Sequence, residues 1–310
     1  MRFLRTVIGS FPRFNTDDLD AIDEAVRIQL RNNIDLLSDG EQRGDMITYL
    51  ARDIPGLSIE NDRCIVSEKI SPPEDPMNVQ KITDYFMVRK KYPDLKFKVT
   101  LTGPTALGVT CASNKLAGEY RSIMDFSLYV DLATALAEIV RPLAKANAHI
   151  QIDEPFLSQG FSDIKERIRL IDELLDGCKP DLVSIHVCGY LGKQLLLEEL
   201  AKLRNVSILS HAFSAGQEKK NIGLLERSIF EDNGKKLGAG VISVLPTRPE
   251  EIETPETVSS RLLEIISRIG VENIGTVHPD CGLLPMKLGL IESLLNNFNT
   301  GVRQSEYSLQ

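Results

Sequence analysis

Residues 182–213 read LVSIHVCGYLGKQLLLEELAKLRNVSILSHAF, and the reading of this stretch decides the fold. Leu182–Cys188 is a short β-rich run, and Val206–Phe213 is another. Between them Lys193–Leu203 carries leucines at helical spacing. A helix between two strands makes a crossover, and a crossover is what a parallel neighbour needs, whereas antiparallel neighbours need only a tight turn.

The same alternation continues outward in both directions. Further strand-like runs lie at Arg5–Ser10, Leu36–Glu41, Phe97–Pro104, His149–Pro155, Gly238–Pro246 and Ile274–Gly282. Further helix-period segments lie at Asp17–Asn33, Met124–Ala146, Ser162–Leu175 and Pro255–Ile269. Eight strands alternating with helices predict a closed (β/α)₈ barrel, a TIM barrel, formed as one domain over residues 1–310. The competing architecture, an open doubly wound sheet, would carry a glycine-rich phosphate loop after an early strand. Neither G-x-G-x-x-G nor G-x-x-x-x-G-K-[ST] occurs. Residues Gly44–Lys96, with Pro72, Pro73 and Pro76, read as an elaborated loop between the second and third strands, lying over one face of the barrel. The polar tail Thr300–Gln310 is expected to fray.

Composition narrows the class. Of 310 residues, 42% are hydrophobic and 26% charged, the balance of an ordinary globular chain. The formal net charge of −8 argues against a general nucleic-acid binder, which needs a basic surface for phosphates. No apolar run is long enough for a membrane span, and the apolar start is broken by Gly9, Ser10 and Pro12, unlike a signal peptide. Five cysteines, Cys64, Cys111, Cys178, Cys188 and Cys281, form an odd and sparse set that suits a reducing compartment. The expected location is the cytoplasm, with no membrane partner.

In such a barrel the chemistry sits at the C-terminal ends of the strands. Three strand ends read SIHVCGY, ILSHAFS and TVHPDCG. His186 and Cys188 are two apart, so on a strand they point to one face. Cys281 returns to the same rim after the last strand. One imidazole and two thiolates favour zinc over magnesium or calcium, and three protein ligands leave a coordination position for a substrate. A thiol entering that position would lose its proton to form a nucleophile. Of the other residues, Cys64 and Cys111 read as structural, Cys178 as the end of a helix and His149 as packing on the barrel's structural side. His278, three residues before Cys281, reads as a candidate for positioning that cysteine. Glu218–Lys219–Lys220 reads as a solvated helix start.

Six motifs then occur in one order: IGSFPR at Ile8–Arg13, GEQRGDM at Gly40–Met46, LTGPT at Leu101–Thr105, IQIDEP at Ile150–Pro155, HVCG at His186–Gly189 and HPDCGL at His278–Leu283. With them the chain resembles the C-terminal catalytic half of cobalamin-independent methionine synthase, in a short core form. The wider superfamily also holds uroporphyrinogen decarboxylase-like barrels and corrinoid-dependent thiol methyltransferases. The resemblance implies zinc ligands at His186, Cys188 and Cys281. It implies homocysteine contacts at Ile8, Ser10, Glu41 and Asp153, and a methyltransferase that forms methionine. An ammonium between Glu41 and Asp153 suits charge-assisted hydrogen bonding, and Ser10 with nearby backbone groups suits the carboxylate. Read without the family, Glu41 pairs with Arg43 or Arg13, and Asp153 caps the following loop.

The chain departs from the family in three places. The family's fourth zinc ligand, a glutamate, falls on Ala212, which leaves His211 or Glu218 as candidates to replace it. The tryptophan that serves the pterin in folate enzymes has no counterpart, because the chain contains no Trp. The histidine after the seventh strand falls on Leu245. These changes spare the thiol side and alter the donor side, so the expected donor is a methylated corrinoid protein rather than folate. Two rivals remain at this level: a corrinoid-dependent methyltransferase for a different thiol, which would need no ammonium site, and a non-catalytic zinc-binding barrel.

Overall fold

The structure, a computed structural model, describes residues 1–216 and 218–310. Gln217 and the side chain of Glu218 lie outside the described residues. In chain order the elements are α1 (Asp18–Arg31), β1 (Leu36–Leu37), α2 (Thr48–Ala51), β2 (Leu57–Glu60), β3 (Arg63–Val66), α3 (Gln80–Lys91), β4 (Lys96–Thr102), α4 (Pro104–Asn114) and α5 (Phe126–Lys145). There follow β5 (His149–Asp153), α6 (Ile164–Leu174), β6 (Val183–Val187), α7 (Leu196–Ala201), β7 (Ile208–Ala212), α8 (Arg227–Glu231), β8 (Lys236–Gly240), α9 (Pro255–Ile269), β9 (Ile274–His278) and α10 (Leu288–Ser308).

Strands β1, β4, β5, β6, β7, β8 and β9 form one parallel sheet in that order. The N-terminal segment closes it into a ring. Arg5 bridges Val277 of β9, Thr6 bridges Leu36 of β1, and both bridges are parallel. Thr6 N donates to the Val277 carbonyl at 3.0 Å, and Val277 N donates to the Leu4 carbonyl at 2.9 Å. The expected (β/α)₈ barrel is therefore what the chain forms, although its first strand is reduced to a pair of bridges. No helix of the described residues is long and apolar enough to cross a membrane.

Several elements differ from the sequence expectation. Residues Gly44–Lys96 are not all loop. They hold the short α2, the antiparallel hairpin β2–β3 and the crossover helix α3. The hairpin turns at Asn61 and Asp62, both with positive φ, as a two-residue primed turn requires. Helices α3, α4 and α10 were not foreseen. The tail does not fray as expected: α10 continues to Ser308 and buries Leu290, Ile291, Leu294, Leu295, Phe298 and Val302, one face of a helix. Glu306 of this tail pairs with the buried Arg5 at 2.8 Å and accepts from Phe3 N at 2.7 Å. Strand β1 ends early because the chain turns out of the ladder at Gly40 and Glu41, with φ of 72° and 53°. That turn lifts Glu41 onto the rim where the site lies.

The barrel interior is more polar than the branched aliphatic layers usual in this fold. Alternation along β4 and β5 sends Lys98, Thr100, Gln151 and Asp153 inward. All four are buried. Ser210, Thr276 and His278 are buried with them. Gly238 makes room for this layer, since a Cβ there would stand 2.9 Å from Thr276 Oγ1 and 3.1 Å from His278 Nε2.

Candidate metal centre and substrate site

Strand alternation sets the first two ligand candidates. His186 stands on β6, and Cys188 follows two residues later on the same face. His186 Nε2 lies 2.8 Å from Cys188 Sγ, and Cys188 Sγ lies 3.3 Å from Cys281 Sγ. Donor atoms of all three lie within 4.8 Å of one another, and theirs is the one such metal-capable group found among the described residues. Cys281 is fixed by its neighbour. The Asp280 carboxylate accepts from Phe213 N and Ser214 N, each at 3.1 Å, and from the Ser214 hydroxyl. The loop after β9 is thereby tied to the loop after β7. Leu283 N donates to the Ser10 carbonyl at 2.7 Å, which draws the first motif against the same loop.

Hydrogen bonds below the centre determine which nitrogen of His186 is free. His278 Nδ1 lies 2.8 Å from the Pro279 carbonyl, which can only accept, so Nδ1 carries the proton. Burial, the largest cause, holds the His278 pKa down to about 3, so the ring is neutral and its Nε2 is an acceptor. Ser210 Oγ, 2.9 Å away, donates to it. The Ser210 oxygen then accepts from His186 Nδ1 at 2.9 Å. His186 Nε2 is left with its lone pair directed at the cysteines. A histidine ligand oriented through its far nitrogen is the usual arrangement at metal sites. The chain of contacts also places His278: it acts on His186 through Ser210, rather than on Cys281 as its spacing suggested.

The two thiols cannot both ionise side by side without a cation. The Cys188 thiol is pushed well up by its hydrogen bond with Cys281 and by burial. A divalent ion among the three donors reverses this penalty, and the nitrogen–sulfur donor set suits zinc.

Of the two candidates for a fourth protein ligand, His211 does not face the centre. His211 is a correction: it lies on the opposite face of β7 from Ser210, with Nδ1 donating to the Val187 carbonyl at 3.2 Å. Burial lowers its pKa to about 4. Glu218, the other candidate, has its side chain outside the described residues. Ala212, on the inward face of β7, offers no donor.

The expected amino-acid contacts surround the same rim. Asp153 pairs in register with His186 on the adjoining strand. Burial, then the nearby Glu41, pushes its pKa well up, while Gln151 and Lys98 pull the other way. Glu41 pairs with neither Arg13 nor Arg43. Its Oε1 accepts from Lys81 Nζ at 2.9 Å and from Thr100 Oγ1 at 2.7 Å. Arg43 turns instead to Asp84 and Asp18 at 2.6 and 2.9 Å. Lys81 is fully buried and lies 4.3 Å from the Tyr49 ring centroid. Burial acts to lower its pKa, but Asp39 and Glu41 outweigh it and the net shift is upward. The Ile8 carbonyl accepts from Gln151 Nε2 at 2.9 Å. Ser10 is half-buried beside Gly282, where an added Cβ would meet its Oγ at 2.2 Å.

The sequence did not single out Ser210, Lys81, Lys98 or Gln151. The available signal was alternation: KFKVTLT puts Lys98, and HIQID puts Gln151, on the inward face of a barrel strand. Cys64 and Cys111 are buried against each other, at 2.7 Å between sulfurs, away from the centre. Cys178, expected to end a helix, lies in the turn beyond the end of α6 at Leu174 and is partly buried.

Residues 14–299 match the family described as cobalamin-independent synthase, catalytic domain. The chain belongs to this family. A methionine synthase of Methanothermobacter thermautotrophicus is 31% identical over 290 residues, spanning 92% of this chain and 88% of its own. A methionine synthase of Methanocaldococcus jannaschii is 28% identical over 316 residues, spanning 95% and 96%. Among solved structures, a B12-independent methionine synthase from Shewanella sp. W3-18-1, in complex with selenomethionine, superposes with a TM-score of 0.81 over 100% of this chain and 99% of that one. At 20% identity that likeness concerns the fold. As a member of the cobalamin-independent synthase family, this chain carries its three nitrogen and sulfur donors at the C-terminal mouth of the barrel.

Proposed function

We propose that this chain is a zinc-dependent methyltransferase that passes a methyl group to the thiol of homocysteine and forms methionine. The observation that carries the reading is the pairing of Asp153 in register with His186, beside Cys188 and Cys281. A group suited to a substrate ammonium thus adjoins a group suited to a metal-activated thiol. An amino acid with a side-chain thiol needs both ends.

His186, Cys188 and Cys281 hold the zinc, which when bound supplies the positive charge that turns a thiol into a thiolate at neutral pH. Asp153 and Glu41 receive the ammonium, and Ser10 with the backbone at Ile8 fixes the amino-acid end. Ser210 and His278 keep His186 in the ligating tautomer. The buried rim keeps water from the thiolate and aligns it with the incoming methyl group.

We assign the methyl donor as a methylated corrinoid protein, so that the corrinoid is a donor brought by a partner and not a cofactor of this chain. Three features support this. The chain has no tryptophan to stack on a pterin. Leu245, at the family's histidine position, is an exposed apolar residue. With Ala212 in place of a glutamate, zinc and two thiolates form a neutral centre, better matched to a donor whose leaving group departs readily. The test is methionine formation from homocysteine on the zinc-loaded protein, with each donor at equal concentration. Transfer from methylcobalamin, faster from a methylated corrinoid protein and absent with methyltetrahydrofolate, is expected. Efficient use of the folate overturns the donor assignment, and failure to bind homocysteine in a zinc-dependent way overturns the acceptor.

A further inference from the structure

Lys98 is a buried cation in the middle of the barrel, and the chemistry described above does not use it. It lies on β4, faces inward and is fully enclosed. None of the ion pairs found among the described residues includes it. Its Nζ donates to Gln151 Oε1 at 2.6 Å. Burial, the largest cause, brings its pKa down to about 7 against the pull of Asp153 and Glu41. A lysine under that penalty is costly for the fold, and a barrel interior usually takes an aliphatic residue at such a position.

Its single protein acceptor shows what it does. A lysine ammonium can only donate, so while Lys98 is protonated the atom of Gln151 that faces it is the carbonyl oxygen. That fixes the orientation of the amide. The Gln151 nitrogen then points the other way, and its two protons go to the Asp153 carboxylate at 2.7 Å and the Ile8 carbonyl at 2.9 Å. These two acceptors belong to the amino-group end of the substrate site. One side-chain amide therefore spaces them, and one cation keeps that amide from turning over. Were the amide reversed, its oxygen would face both acceptors and push them apart. A cavity of about 20 Å³ adjoins Lys98 and Gln151, with Ser210 and His278 on its far wall. It is the size one water molecule takes.

We propose that Lys98 and Gln151 are positioning residues for the substrate ammonium: Lys98 sets the orientation of the Gln151 amide, and that amide holds Asp153 and the Ile8 carbonyl at the spacing that receives it. The inference rests on the reading of Asp153 and Ile8 as homocysteine contacts. It adds that the selectivity for an α-amino thiol is set one layer below the residues that touch it.

The test is calorimetric binding to the zinc-loaded full chain of two probes, L-homocysteine and 4-mercaptobutyrate, the same thiol acid without the amino group. Gln151→Met and Lys98→Met should each lower homocysteine affinity about tenfold or more, the usual effect of losing a hydrogen bond to a charged group. Affinity for 4-mercaptobutyrate and zinc content should stay unchanged. Because Lys98 acts through Gln151, the double variant should be no weaker than Gln151→Met alone. Additive losses overturn the proposal, and so do equal losses for both probes, which a merely structural role would give. If wild-type protein binds the two probes equally, the ammonium site itself is wrong. If it prefers homocysteine and both variants keep that preference, only the positioning role is wrong. Should the variants fail to fold, the Gln151 side-chain amide resonances of the wild-type protein decide. They must shift with homocysteine and not with 4-mercaptobutyrate, and no response overturns the inference.

Discussion

At the scale of single residues, the proposed function divides the site into groups that would hold metal, groups that orient those groups, and groups that would face the substrate. Cys188→Ser should remove most of the bound zinc while the circular dichroism of the barrel persists, since the core does not run through the centre. Full zinc occupancy in that variant would displace Cys188 from the ligand set. Ser210→Ala leaves every ligand in place but frees the His186 ring to change tautomer. Zinc affinity should fall about 10- to 100-fold, the range seen when such orienting groups are lost, measured by competition with a chelator. Unchanged affinity would show that the Ser210–His278 link does not govern the ligand. Asp153→Asn should weaken homocysteine binding far more than zinc binding. Removing one partner of a buried charged pair costs about 3–5 kcal/mol, and equal homocysteine affinity in the variant would take Asp153 out of the substrate site.

At the scale of elements, the strands that carry motifs were legible and several helices were not. His186 and Cys188 announce β6 because alternation and chemistry coincide there. Helix α4 follows β4 so closely, with only Gly103 between, that its first residue Pro104 reads as the end of the strand. Helix α10 was obscured by its polar surface, and the contact that anchors its end joins residues some three hundred positions apart. Arg5 and Glu306 meet with |i−j| of 301, and nothing local forecasts such a pair. Arg5→Met should lower the melting temperature markedly, because it strands the Glu306 carboxylate in the interior. Adding Glu306→Leu should restore part of the loss. A single variant as stable as wild type would mean the pair contributes nothing to closing the barrel.

At the scale of the whole molecule, the sequence revealed the barrel and its catalytic rim but not its polar interior. The motifs name the residues expected to touch ligand. Lys98, Gln151, Ser210 and Lys81 are visible only once the strands are in register, because each acts on a residue from another strand. The same interior sets how stability depends on pH. His211 and His278 are buried and neutral, with pKa values lowered to about 4 and about 3 from 6.5. Below 6.5 the unfolded chain binds protons that the folded chain refuses. Their contribution is therefore complete above 6.5 and is lost as pH falls toward the folded values. In zinc-free protein the urea midpoint of His211→Leu, taken relative to wild type, should rise steadily as pH falls from 6.5 to 4. The same pH dependence in the variant as in wild type would remove His211 from the account.

The seam of the ring carries a consequence for how the molecule is made. Most neighbouring strands of the barrel are joined by ladders of four or five residue pairs, but the first segment is held by one bridge on each side, Arg5 to Val277 and Thr6 to Leu36. One of those partners emerges from the ribosome early and the other near the end of synthesis. Until β9 has been made, the nascent chain can be no more than an open sheet with two unpaired edges, and such edges invite pairing with other chains. Closure then depends on a contact of nearly maximal sequence separation, the kind that forms slowly. Cys281 lies just beyond that last strand, so His186, Cys188 and Cys281 come together only once β9 and the loop after it are in place.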